Sequence, residues 1–140
     1  MNKNTTKKLL NELTYQVIGA AIEVHKELGP GLLESVYHRC MAYELQLQKI
    51  AFQSQLSIPI KYKSLELDAD LRYDFYIENC LVVELKTVDC ILPVHQAQLF
   101  TYMRLLEIPK GILINFYVAN LFKEGQITFV NELFRVLPEK

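Results

Sequence analysis

Surplus basic charge is the first thing this sequence lacks. Its 15 Lys and Arg are balanced by 16 Asp and Glu, giving a formal net charge of -1 over 140 residues. Broad, nonspecific affinity for nucleic acid needs concentrated Lys and Arg, so the balance speaks against it while leaving room for a local basic rim. Cysteine is scarce too. Cys40, Cys80 and Cys90 are odd in number, and their spacings match neither zinc nor redox motifs. They read as isolated buried thiols. No apolar run approaches the roughly twenty residues needed to span a bilayer. The basic stretch Met1 to Lys8 is followed by neither a signal-peptide h-region nor a small-residue cleavage site. A cytoplasmic protein without membrane contact is expected. No internal repeat, low-complexity segment or second domain is legible.

What is present is an ordinary globular composition, 51% hydrophobic and 22% charged. The length suits one domain with a real core. A single domain over residues 1–140 is expected, with residues 1–8 as a flexible tail. From about Leu9 to Leu28, the residues Leu13, Val17, Ile18, Ala21, Ile22 and Leu28 recur at helical spacing. Gly29-Pro30-Gly31 stops that helix. A second helix is predicted from about Leu32 to Lys49, with Leu33, Val36, Tyr37, Cys40, Met41 and Leu47 as its apolar stripe. Glu34 shares a face with Tyr37 and His38, and by itself it reads as a first-turn acid favouring the helix dipole. His25 and His38 read as solvated or structural histidines rather than ligands.

Beyond Ile50 the period changes to two, predicting a strand from about Phe52 to Tyr62 with Pro59 marking an edge or bulge. Lys63-Ser64 reads as a turn before the short segment Leu65 to Leu67. The runs Leu71 to Ile77 and Leu81 to Lys86 predict two more strands. A third helix spans Pro93 to about Glu107, with Pro at an acceptable first-turn position. It carries His95, Gln98 and Tyr102 on one face and Leu99, Met103 and Leu106 on the next. Gly111 to Val118 is an almost continuous apolar run, as in a strand covered on both sides. Ile127 to Val130 predicts a last strand after the turn at Lys123-Glu124-Gly125.

One stretch stands apart. In Leu81-Val82-Val83-Glu84-Leu85-Lys86, a carboxylate and an ammonium emerge from one face of a core-like strand. Buried charge is costly unless paired or bound to metal. Asp74, on the preceding strand, offers a second carboxylate. Together the three point to a divalent-metal site of phosphodiesterase type, and a structural Glu84–Lys86 ion pair is the plainer alternative. Register decides between usable and useless geometry. A two-residue turn at Glu78-Asn79 would pair Ile77 with Cys80 and set Asp74 against Val83. A loop one residue longer, or a bulge, would set Asp74 against Glu84. The metal site requires the longer loop or a bulge.

The order of elements, with Asp on one strand and Glu-x-Lys on the next, resembles the core of the PD-(D/E)XK nuclease superfamily. Within it the chain is similar to the branch named for its GxxExxY motif, here Gly31-Leu32-Leu33-Glu34-Ser35-Val36-Tyr37. Three further motifs match that branch: Val83-Glu84-Leu85-Lys86, Pro93 to Leu99 with Tyr102, and Leu113-Ile114-Asn115-Phe116. The resemblance covers about Tyr15 to Val130. It implies an α/β, restriction-endonuclease-like core with a central mixed β-sheet flanked by helices, in the order α-α-β-β-β-α-β-β. It also implies roles. Asp74, Glu84 and the Leu85 carbonyl would hold Mg²⁺ or Mn²⁺, with Glu34 reaching the ion through water. Lys86 would assist the attacking water, and Gln98 would face the site. The proline that names the superfamily is absent, and Tyr73 precedes Asp74.

A nuclease acting on DNA or RNA is one reading, alone or with a second copy or a guiding protein partner. A noncatalytic nuclease-like domain that binds nucleic acid or protein is another. A small-molecule pocket formed by Tyr37, His95 and Tyr102 is a third.

Overall fold

The computed structural model describes residues 4–55, 57–67 and 72–140. The Thr6 hydroxyl accepts the Leu9 N–H (3.0 Å) and so caps helix α1, Lys7–Leu28, which starts two residues before the apolar period predicts. Thr5 is buried, and the N–H groups of Lys7 and Lys8 donate to the carbonyls of Pro138 and Glu139 (2.8 and 3.0 Å). Of the tail expected over residues 1–8, Thr5 to Lys8 are therefore built into the fold. Met1, Asn2 and Lys3 lie outside the described residues.

Gly29 and Gly31 both take positive φ, +69° and +100°, where any side chain would be strained. They turn the chain into α2, Glu34–Leu47. Tyr37 explains how this turn is held. Its fully buried ring stacks on Phe116, with centroids 4.4 Å apart. Its hydroxyl donates to the Gly29 carbonyl and accepts the Leu32 N–H. The inward face of α2 is Tyr37, His38, Met41 and Leu45, spaced for a single stripe. Leu33 and Leu47, predicted for that stripe, are exposed because they fall to either side of it.

Strand β1, Phe52–Ser54, is the first of the sheet and ends much earlier than the predicted Phe52–Tyr62 strand. Gln55 has positive φ (55°) and breaks the extended run, while Pro59 can donate no ladder hydrogen bond. Leu56 lies outside the described residues. The remainder of that segment forms β2, Ile60–Tyr62, which pairs with β3, Leu65–Leu67, as a separate two-stranded hairpin across the Lys63-Ser64 turn. The next sheet strand, β4, is Phe75–Ile77, shorter than the predicted Leu71 to Ile77. Leu71 is outside the described residues, and Asp74 sits in a bend just before β4.

β5, Leu81–Lys86, follows as predicted and is the middle strand. Helix α3, Pro93–Leu106, crosses over to β6, Lys110–Asn115, which runs parallel to β5. After a four-residue helix α4, Leu121–Glu124, comes β7, Gln126–Val130, and then α5, Glu132–Arg135. The sheet order is β1-β4-β5-β6-β7, antiparallel except for β5–β6. The five sheet strands and three long helices thus follow the expected order in a mixed sheet flanked by helices. Helices α4 and α5 span barely one turn each, too short to leave a period in the sequence.

Two hydrophobic clusters cover the sheet. Leu81, Val83 and Leu85 face α1 and α2, among Val17, Tyr37, Met41 and Phe116. On the other face Val82 meets α3 through Leu99, Tyr102 and Met103. Strand alternation therefore places Glu84 and Lys86 on the α3 face. All of β6 is buried, but it ends at Asn115 rather than Val118. The Asn115 side chain accepts the N–H groups of Val88 and Tyr117 (3.1 and 3.2 Å) and donates to the Val88 carbonyl (2.9 Å). These bonds turn the chain out of the ladder and pin the loop that follows Lys86. Cys80 is buried as expected, whereas Cys40 is half-buried and Cys90 is exposed on the loop before α3. Among the described residues no helix is long and apolar enough to cross a membrane.

Gly125 closes the α4–β7 junction. A Cβ there would lie 2.6 Å from the Asn115 carbonyl oxygen. Gly125→Ala is expected to destabilise the domain by about 1–3 kcal/mol, the usual range for overpacking, which thermal unfolding would measure.

Candidate active site

Register brings the carboxylates together. Ile77 pairs with Leu81, Tyr76 with Val82 and Phe75 with Val83. Carried one residue further, this sets Asp74 opposite Glu84. Three residues, Glu78, Asn79 and Cys80, form the loop, with positive φ at the first two and the Cys80 N–H donating to the Ile77 carbonyl (3.0 Å). This is the longer loop that the metal site requires.

Each carboxylate is held by a main-chain N–H. Glu84 Oε1 accepts from Asp74 N–H (2.9 Å), and Asp74 Oδ2 accepts from Leu85 N–H (2.8 Å). The two side chains are thus cross-braced, and Asp74 also shares a side-chain hydrogen bond with Glu84. Glu84 is only 5% exposed. Burial, and then the charge of Asp74, push its carboxyl up to about 8, against the Asp74 N–H and Lys86, which favour ionisation. Burial likewise raises Asp74, opposed by the Leu85 N–H, His38 and Lys86. A buried acidic pair of this kind favours a bound cation, or failing that a proton.

Lys86 is half-buried at the end of β5 and influences both carboxyls, yet among the described residues it makes no salt bridge. The alternative of a structural Glu84–Lys86 ion pair is therefore not what the side chains adopt. Glu34 opens α2 on the exposed surface, close enough that partial burial and Asp74 raise its carboxyl while Lys86 and His38 lower it. Asp74, Glu84 and Glu34 do not close into a cluster. No group of three or more His, Cys, Asp and Glu among the described residues could hold a metal.

From α3, Tyr102 is buried against the pair. Its hydroxyl is pushed up to about 12 by burial and by the charges of Glu84 and Asp74. Gln98, one turn earlier, is half-buried, and its side chain makes no hydrogen bond among the described residues. The three pocket residues have separate engagements. Tyr37 spends its hydroxyl on the turn before α2, and His95 Nδ1 accepts the Leu92 N–H (3.0 Å) at the start of α3. His25 bonds the Val118 carbonyl (2.9 Å), the structural part expected of it.

Sequence reasoning missed the main-chain donors at Asp74 and Leu85, which carry no side-chain signature. His38, read as a solvated or structural histidine, is buried on the inward face of α2 with its Nε2 3.3 Å from the Asp74 carbonyl oxygen.

Searches against curated proteins and against solved structures found no match. A family model described as the PD-(D/E)XK nuclease superfamily matches residues 11–128, from α1 through β7 and across every residue of the site just described. With that match over most of its length, the chain belongs to the PD-(D/E)XK nuclease superfamily.

Proposed function

We propose that this protein is a Mg²⁺- or Mn²⁺-dependent nuclease that hydrolyses phosphodiester bonds of nucleic acid, using Asp74, Glu84 and Lys86. The observation that carries the reading is the cross-braced Asp74–Glu84 pair. Both donors are hard oxygens, and two carboxylates with the remaining positions left to water and substrate suit Mg²⁺ or Mn²⁺. The residues fit the ion. Asp74, Glu84 and the Leu85 carbonyl would hold it, with Glu34 acting through water. When bound, the ion supplies charge at the phosphate and orients the attacking water.

The chain's own residues do the rest. The main-chain N–H groups of Asp74 and Leu85 fix the carboxylates before substrate arrives. Lys86, which makes no ion pair among the described residues, positions the water and takes part in its deprotonation. Gln98 lies on the α3 side of the same strand face and orients the substrate. The Gly31 to Tyr37 motif supports placing the chain in the branch named for it. The balanced charge of -1 supports a second copy or a guiding protein partner in holding a long substrate.

Labelled single- and double-stranded DNA and RNA, incubated with Mg²⁺, Mn²⁺ or EDTA, test the reading. Cleavage of at least one substrate, abolished by EDTA, is expected. Tight binding of nucleic acid with no cleavage under any metal condition would favour the noncatalytic domain instead.

A further inference from the structure

His38 occupies a place where α2 would otherwise put a core hydrophobe. It is buried between Tyr37 and Met41 of the inward face, and its ring lies nearly flat on Phe75, with centroids 4.4 Å apart and planes 11° from parallel. Its Nε2 lies 3.3 Å from the Asp74 carbonyl oxygen. A carbonyl only accepts, so Nε2 carries the proton in this contact.

Asp74 stands one residue outside β4, where the pairing with β5 no longer holds its main chain. Its backbone nevertheless has to be still, because its N–H orients Glu84 and its carboxylate faces the same side chain. Two donors reach its carbonyl: the Gln55 N–H (3.3 Å) from the neighbouring edge segment, and His38 from the helical layer. The imidazole grips the main chain from the α2 side, while Glu84 and Lys86 lie on the α3 face. It therefore holds Asp74 without competing for a ligand position.

We propose that His38 is a positioning residue of the candidate metal centre, whose Nε2–H fixes the Asp74 carbonyl and through that residue the geometry of both carboxylates. The inference rests on the nuclease reading and adds to it a residue that touches neither ion nor substrate.

Two variants separate the hydrogen bond from the packing. His38→Phe keeps a flat ring on Phe75 and removes the donor. His38→Gln removes the ring and keeps an N–H at similar reach. Calorimetric titration of the full chain with Mn²⁺ is the primary readout. Loss of an outer-shell partner typically weakens a metal site about 10- to 100-fold, and His38→Phe is expected to fall in that range while its melting temperature stays near wild type. His38→Gln is expected to bind Mn²⁺ within a few-fold of wild type even if it melts earlier. On a cleavable substrate the Phe variant should lose kcat with KM unchanged.

Wild-type affinity in His38→Phe would overturn the proposal, and so would a Gln variant binding as weakly as the Phe variant. If His38→Phe does not fold, the Gln variant decides alone, by retaining or losing affinity. Wild-type protein that binds no Mn²⁺, with or without an oligonucleotide, overturns the metal-dependent reading itself and this role with it.

Discussion

Asp74→Asn is expected to abolish Mn²⁺ binding and to slow metal-dependent cleavage about a thousand-fold, while Lys86→Met is expected to slow cleavage by a similar factor with binding retained. The Asn side chain keeps an oxygen for the Leu85 N–H, so the brace on β5 survives and the negative charge alone is lost. Metal stabilisation of a phosphoryl transition state amounts to several kcal/mol, and about 1.4 kcal/mol corresponds to each factor of ten. Lys86 acts on the water, a contribution of about 10²–10⁴ in general acid–base catalysis. Titration calorimetry and single-turnover cleavage, measured on the same preparations, distinguish the two roles. If Lys86→Met lost metal as completely as Asp74→Asn, the lysine would be a structural counter-charge. If Asp74→Asn bound Mn²⁺ as wild type does, Asp74 would not be a ligand.

The second large effect concerns stability without metal. The folded protein holds the Glu84 proton up to about 8, whereas an unfolded chain releases it near the ordinary value of 4.5. Between these limits the folded state binds more protons than the unfolded state, so stability is fully present below about 4.5 and is lost as pH rises through about 8. One such group gives a slope of up to about 1.4 kcal/mol per pH unit. Asp74 and Glu34, raised in the same direction, add to it. We expect the melting temperature in EDTA to fall from pH 5 to pH 8, and Mg²⁺ to restore it most at the alkaline end. Glu84→Gln still accepts the Asp74 N–H and carries no charge to bury. It should therefore melt higher than wild type at pH 8 in EDTA while being inactive. A melting temperature in EDTA that is flat across this window, with no gain from Glu84→Gln, would show that the buried charge costs the fold little.

Much of this arrangement is legible in the sequence where period and chemistry coincide. An apolar run interrupted by Glu84 and Lys86 at spacing two can only be a strand with a polar face, and β5 matches its predicted bounds. Counting residues through Glu78, Asn79 and Cys80 reduced the pairing of Asp74 with Glu84 to a choice of loop length. The segment after Ser54 was not legible, because Leu56, Ile58 and Ile60 keep a period of two through a place where Gln55 leaves the extended region. Leu33 and Leu47 misled for another reason. The inward face of α2 is set by what packs against it, and Leu45 fits where the outer leucines do not. Tyr37 was visible as a motif residue, but its bonds to Gly29 and Leu32 depend on a turn whose shape no side-chain pattern encodes.

The position of the site between the two hydrophobic clusters bears on when the proposed activity could arise during folding. Glu84 is buried beneath the α3 layer, and the main chain of Asp74 is gripped from the α2 layer. Under the proposed function, competence to cut depends on both layers being docked, and a nascent or partly unfolded chain with one layer assembled lacks part of the support for the pair.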